Sequence, residues 1–456
     1  MKKNYIIKAA LGLTLISTTI SCTKELDIEP RQNISSETAL STPSDVQNAL
    51  VGAYSVVGGG ALYGTNLVLL PDLYAGNSYL DWVGTFNSYR DVAGKSLIAT
   101  NPEATRTWIA AYRAINIANT VLNSLDIVTD ADMKNRIEGE ALFIRGIMYF
   151  ELVRLYALPY EGGAANSQPG VPLVLTAIKS TADVKMDLAR NTVAEVYGQI
   201  EKDLTAASTK LPPSNSPRAA SYSALAFLSR VYLQEQKYAE ARDAANSVIT
   251  SGEFALLSSL QAPFRIKNSD EGIFEIQQDE QTNAGTSNDG LATFFASLPG
   301  IGRADALVNS AFANSFEAAD KRRTELIYSG TGARPGFYSA KWSDFYGNIP
   351  VARITEMYLT RAEANLRLGT AVGDTPANDL NRLRLRAGLL SNLLPTLADI
   401  LSEREKELAF EGFRLHDYKR TKRSLGALAY NDPKLVFPIP DREMSANPAL
   451  EQNTGY

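Results

Sequence analysis

The sequence predicts a mainly α-helical fold: a scaffold of tetratricopeptide-like helical hairpins with long ligand-binding loops and minor β-structure. Three observations predict it. Apolar residues recur every three, four or seven positions through most of the chain. Two such segments are separated only by the turn Glu235-Gln236-Lys237, with Tyr232 and Tyr238 set against the small Ala241 and Ala245, the packing logic of a helical hairpin repeat. From Glu253 to Tyr346 the periodicity gives way to Gly-, Asn- and Ser-rich stretches typical of loops. With 456 residues, 45% of them hydrophobic, the chain is long enough to enclose a large core, as one big domain or two closely packed ones.

The elements follow in order. Lys2, Lys3 and Lys8 flank the start of an apolar run, Ala9 to Ile16, which leads through small and polar residues to Cys22. This is the layout of a bacterial export signal, too short to be a spanning helix. Cys22 is the only cysteine and stands where lipoprotein processing acylates a new N-terminus. The expectation is removal of residues 1–21 and a lipid on Cys22 that tethers the chain to a membrane outside the cytoplasm. Residues 22–43 read as a polar tether. Ser44-Asp45 is expected to cap a helix through Tyr54. Gly58 to Gly94 reads as loop-rich and holds Asn77, Tyr79 and Trp82. Trp108, Tyr112, Ile115 and Leu122 share one helical face, and Ile137, Ala141, Ile144 and Met148 another. Val193 to Leu204, Tyr222 to Tyr232 and Tyr238 to Val248 complete a helical region over residues 44–252. In the second region, residues 253–456, Ile273-Phe274-Glu275-Ile276 is strand-like. Helices return at Ala352 to Leu368, Ala377 to Ala387, and Leu397 to about Leu415.

Composition removes several functions. A net charge of -5 leaves no basic footprint for nucleic acid. One cysteine excludes an internal disulfide and a thiolate zinc site; one histidine, His416, excludes a site built from several histidines. No cofactor and no metal are expected. The helix from Glu403 to Arg414 carries Glu403 and Glu407, a spacing that invites comparison with paired catalytic carboxylates. Arg404 and Lys406 between them point instead to a structural ion network. His416 beside Asp417 has no Gly-x-Ser-x-Gly nucleophile to serve, and is expected on the surface or in a structural hydrogen bond.

A set of motifs in fixed order is recognisable. It runs from Leu26-Asp27-Ile28-Glu29-Pro30 and Ala49-Leu50-Val51-Gly52-Ala53-Tyr54 through Gly139-Glu140-Ala141-Leu142-Phe143-Ile144-Arg145 and Gly170-Val171-Pro172-Leu173. It continues with Arg353 to Ala364, Leu380 to Leu389, Glu403 to Asp417, and Pro438-Ile439-Pro440 with Asn447-Pro448. In this order the chain resembles the SusD/RagB family of outer-membrane nutrient-binding lipoproteins, over nearly all its mature length. The resemblance implies a SusD-like α/α fold, a place on the cell surface, and a SusC-like TonB-dependent transporter as partner. It also implies non-catalytic capture of oligosaccharide or polysaccharide. Arg353, Arg361 and Glu363 match family positions that read as architectural.

Trp108 keeps helical register and reads as core, whereas two tryptophans leave it. Trp82 sits with Asn77, Tyr79 and Asp81; Trp342 sits with Lys341, Phe345 and Tyr346. Flat rings beside polar side chains suit sugars, whose apolar face packs on the ring while the hydroxyls find donors and acceptors. These eight residues are the expected ligand platform, and Asn283 to Pro299, with Asn288, Asp289, Phe294 and Phe295, is a further candidate loop. Two other functions stand beside glycan binding: a peptide- or protein-binding surface lipoprotein of the RagB type, and a secreted glycoside hydrolase.

Overall fold

The computed structural model describes residues 40–76, 78–183 and 187–456; the expected lipid site Cys22 and the candidate Asn77 lie outside them. Helix α1 (Pro43–Gly58) is capped at Thr42, whose side chain accepts from the Asp45 N–H while Asp45 accepts from the Thr42 N–H. The cap thus falls before Ser44-Asp45, because Pro43, with its fixed φ, already fits the first helical position. Helix α2 (Asn66–Ala75), strand β1 (Leu80–Trp82) and helix α3 (Asn87–Ala93) occupy the stretch expected to be loop. Every residue of α2 is buried and Pro71 lies inside it, so it has no polar face and no amphipathic period to show.

Helices α4 (Pro102–Leu122), α5 (Ala131–Tyr156), α6 (Val193–Lys210), α7 (Ser221–Glu235) and α8 (Tyr238–Thr250) each pack on the next, with α1 against α4. Asn101 caps α4 by accepting from the Glu103 and Ala104 N–H groups. Gln236 makes the α7–α8 turn in the left-handed region, and Ala241 and Ala245 are fully buried at the hairpin contact. Then come β2 (Gly272–Ile276), α9 (Leu291–Phe295), β3 (Ala306–Val308), α10 (Ser310–Ala313), α11 (Lys321–Glu325), β4 (Ile327–Ser329), β5 (Phe337–Ser339) and β6 (Ile349–Arg353). One antiparallel sheet has the order β1-β3-β5-β4, with Leu80 opposite Val308 and Trp82 opposite Ala306; a second pairs β2 with β6.

Helices α12 (Ile354–Leu368), α13 (Pro376–Arg386) and α14 (Leu397–Glu407) close a core of Leu359, Leu380, Leu383 and Ile400. Helix α12 also packs on α8, so the helical layers continue across residue 252, and Thr42–Tyr456 forms one compact unit. The helix expected from Leu397 to about Leu415 is broken. Phe410 and Gly412 adopt left-handed backbone, with φ of 65° and 81°, before α15 (Arg414–Arg420); the short α16 (Asp441–Ala446) follows in the tail. Gly412 is required there: a Cβ would lie 2.8 Å from the Leu67 carbonyl oxygen, and its N–H donates to the buried Asp72 carboxylate at 3.0 Å. The fold is helical with little sheet, as the periodicity predicts.

The charged residues of α14 form a buried ion network. Glu407 meets Arg322, Arg353 and Arg386; Glu403 meets Arg322 and Arg384; Arg404 meets Asp417; and Glu411 meets Arg353. Burial pushes the Glu407 carboxyl up, but the guanidiniums of Arg386, Arg322 and Arg353 outweigh it and hold the group at about 2. His416 corrects its expectation. It is buried, its Nε2 finds no hydrogen-bond partner among the described residues, and burial followed by the charges of Arg154, Lys419 and Arg230 keeps it neutral. No helix among the described residues is long and apolar enough to cross a membrane.

Candidate functional site: a loop platform on the four-stranded sheet

Strand pairing brings loops that are far apart in sequence to one place. The ladder of β1 and β3 continues where the Val83 N–H donates to the Asp305 carbonyl at 2.8 Å. This sets residues 83–86 beside residues 299–305. Arg303 ties three segments together. Its guanidinium donates to Thr85 Oγ1 at 3.1 Å, to the Ser287 carbonyl at 3.3 Å, to Asn288 Oδ1 at 3.2 Å and to Asp305 Oδ2 at 2.8 Å. The same guanidinium lies 4.5 Å above the half-buried Phe86 ring. Residues 330–336 join from the other side, where Arg334 donates to the Val83 carbonyl and Ser297 Oγ donates to the Arg334 carbonyl at 2.8 Å.

Beneath this surface the loops are braced by charge. Arg106 holds Asp289 through two bonds of 2.7 and 2.8 Å, and the Gly290 N–H donates to Thr65 Oγ1 at 2.7 Å. Burial raises the Asp305 carboxyl, with Arg303 opposing. Both carboxylates are therefore engaged by arginines. What remains outward is the half-buried Phe86, the half-buried Arg303 and the exposed Thr85, Asn87, Arg90, Ser287 and Asn288. This arrangement offers an apolar ring, a flat cation and fixed donors and acceptors, a combination suited to hydroxyl groups on a ring-shaped ligand.

The expected stacking tryptophans are placed elsewhere. In β1 the alternation turns Leu80 and Trp82 inward and leaves Asp81 half-exposed. Trp82 is stacked on Tyr89 at 4.7 Å, meets Phe294 edge-on, and donates its indole N–H to the Phe86 carbonyl at 3.0 Å. Trp342 is 4% exposed, packs on Phe264, and donates to the Phe410 carbonyl at 2.6 Å. The expectation that these two rings lie open for stacking is corrected: each indole N–H needed an acceptor on burial and found a backbone carbonyl. Tyr79 is corrected likewise, being buried with Phe410 stacked on it and its hydroxyl accepting from the Phe410 N–H at 2.6 Å. Lys341 is buried between Glu411, at 2.6 Å, and the Glu407 carbonyl; burial lowers its pKa, and it is not free to meet a ligand hydroxyl. Asp81 accepts from Asn309 at 2.7 Å.

Phe345 and Tyr346 stay half-exposed, their rings 6.3 Å apart, on a loop where Asp344 accepts from the Tyr346 N–H. The segment from Gly285 to Phe294 lies between the two tryptophan loops, touching Trp82 through Phe294 and sharing a small cavity with Trp342 and Phe345 through Gly290 and Leu291. Sequence reasoning missed Arg303. The signal for it was a charge carried on Gly300-Ile301-Gly302, whose glycines have φ of 74° and 85° and so mark a tight turn.

Residues 25–233 match a family model described as "Starch-binding associating with outer membrane", and residues 338–434 match the SusD family. SusD-like protein P2 of Formosa agariphila is 25% identical over the full length of both chains, as is the starch-binding protein SusD of Bacteroides thetaiotaomicron. Among solved structures, a SusD superfamily protein of Bacteroides thetaiotaomicron is 26% identical with a TM-score of 0.81, over 90% of this chain and 99% of that one. A putative sugar binding protein of Bacteroides vulgatus is 27% identical with a TM-score of 0.82, over 92% of this chain and 100% of its own. With models of one family matched in both halves and the same fold in its solved relatives, the chain belongs to the SusD family.

Proposed function

We propose that the protein is a non-catalytic surface lipoprotein of the outer membrane that binds an oligosaccharide or polysaccharide and delivers it to a SusC-like TonB-dependent transporter. The lipid on Cys22 is the anchor. The observation that carries this reading is the platform of Phe86 and Arg303 with its rim of exposed amide and hydroxyl groups. Of the residues singled out in the sequence, Phe345 and Tyr346 keep accessible rings for stacking, and Trp82 positions Phe86 through its indole hydrogen bond. The loops named in the sequence therefore stay in the proposal, with different rings facing the ligand.

The non-catalytic reading draws support from the carboxylates. Glu403 and Glu407 are buried among arginines, and Asp289 and Asp305 are each held by one. None is poised as the acid–base pair that glycoside hydrolysis requires. The names of the starch-binding and sugar-binding relatives point the same way. The test is a glycan array beside a peptide array, probed with the lipidated protein in detergent. Binding to a glycan class without cleavage supports the proposal. Binding confined to peptides, or release of shortened sugars that stops on replacing a carboxylate, contradicts it.

A further inference from the structure

A second concavity lies apart from the loop platform. It is a groove of about 450 Å³ between the outer face of α1 and the end of β2, within the size range of ligand sites. Its floor is apolar: Val51, which is 43% exposed, the ring of Tyr54, and Ile276. Its rim is polar. Among the described residues, the side chains of Ser55, Gln281 and Thr282 make no hydrogen bond, and Arg218 has only a loose 3.9 Å approach to Glu140. Free donors and acceptors around an apolar floor are the elements that bind a pyranose.

The wall is rigid. The Gln277 amide exchanges two bonds with the Asn268 amide, at 2.8 and 3.1 Å, and Asn283 is held by the Asp279 and Glu280 carbonyls. The Tyr54 hydroxyl accepts from the Ala219 N–H, which fixes its ring. A smaller depression of about 180 Å³, which carries the exposed Glu253 and Asp270, borders the groove at Pro217, Arg218 and Glu275 and is not part of it. Among the described residues the charges lining the groove are Arg218, which faces the buried Glu140, and the buried Glu275, whose Oε2 accepts from the Asn268 N–H and from Asn348 while its Oε1 has no partner. The ligand that fits such a lining is neutral and polyhydroxylated.

We propose that this groove is a second carbohydrate subsite, taking a neutral oligosaccharide, separate from the platform of Phe86 and Arg303. The inference rests on the carbohydrate-binding reading above. The segment from Gln281 to Asp289 runs from the groove to the platform and serves both.

The test uses the lipidated protein in detergent and the hexasaccharides of α-1,4-glucan, β-1,4-glucan, β-1,4-xylan and β-1,4-mannan. Each is titrated calorimetrically into wild type, Ser55→Trp, Gln281→Ala, and a platform variant carrying Phe86→Ala and Arg303→Ala. Ser55 and Gln281 are exposed, so their variants leave the core intact, and melting is checked for all. The expected result is weakened binding in the platform variant, with a residual that Ser55→Trp, added to it, reduces at least tenfold and Gln281→Ala reduces severalfold. If neither groove substitution changes binding in either background, the groove is not a subsite and the platform stands. If Ser55→Trp abolishes binding while the platform variant binds like wild type, the groove is the ligand site and the platform falls. If wild type binds none of the four sugars, the groove is not a site for a neutral oligosaccharide of this kind, while the platform reading is decided by the glycan array.

Discussion

Replacing Glu407 by Gln removes one negative charge from a site where three arginines converge. In the wild type Arg386 Nη2 lies 2.6 Å from the carboxylate, Arg322 Nη1 3.3 Å and Arg353 Nη1 3.7 Å. The folded-state pKa is depressed to about 2 from the ordinary 4.5. A depressed acid stabilises the fold above its unfolded pKa and loses that contribution as pH falls through the folded value. At pH 7 the difference is worth about 3 kcal/mol, at about 1.4 kcal/mol for each tenfold change in proton affinity. At pH 3, about one unit above the folded value, linkage leaves somewhat under half of it. Removing one partner from a buried network carries a similar cost of about 3 to 5 kcal/mol. The assay is urea unfolding of wild type and Glu407→Gln at pH 7 and pH 3. The variant should be less stable by about 3 kcal/mol at pH 7, and the gap should close by about half at pH 3. A gap that is absent at pH 7, or of equal size at both pH values, refutes the assignment of Glu407 as an ionised, structurally engaged group.

Three further outcomes follow from the same structure. Gly412→Ala should destabilise the fold by about 1 to 3 kcal/mol, since it forces a Cβ into left-handed backbone against the Leu67 carbonyl; a melting temperature equal to wild type would contradict this. Trp82→Ala should cost about 3 to 5 kcal/mol by emptying a ring-lined site, and should weaken glycan binding only through displacement of Phe86. A Trp82→Ala variant that melts like wild type would show that the ring is not core. Cys22→Ala should move the protein from the membrane fraction to the soluble fraction in cells lacking the transporter, and full retention in the membrane would remove the proposed anchor.

Much of the scaffold was legible because amphipathic helices advertise themselves. Trp108, Tyr112 and Ile115 keep a period that survives into α4, and Tyr238, Ala241 and Ala245 do the same in α8. Helix α2 was illegible for the opposite reason. Asn66 to Ala75 is buried on all sides, so nothing in its sequence separates an inner face from an outer one. The break at Phe410 and Gly412 depends on α2 as well, since Gly412 closes against Leu67 and Asp72, residues more than 300 positions away. The candidate platform draws on a loop that the sequence singled out, but the two tryptophans expected to stack are buried. Leu80-Asp81-Trp82 already alternates as a half-buried strand, which would have turned Trp82 inward had the three residues been read as β1. Arg303 could not be paired with Phe86 from sequence, because their proximity is made by the β1–β3 ladder.

The central claim is that the loop platform holds carbohydrate, and the most direct measurement is calorimetric titration of the glycan selected on the array into wild type and Phe86→Ala. Loss of a stacking ring costs about 1 to 3 kcal/mol in comparable aromatic hot spots, about a tenfold to hundredfold rise in Kd. That rise is expected with melting unchanged. A Phe86→Ala variant that melts and binds as wild type does would contradict it.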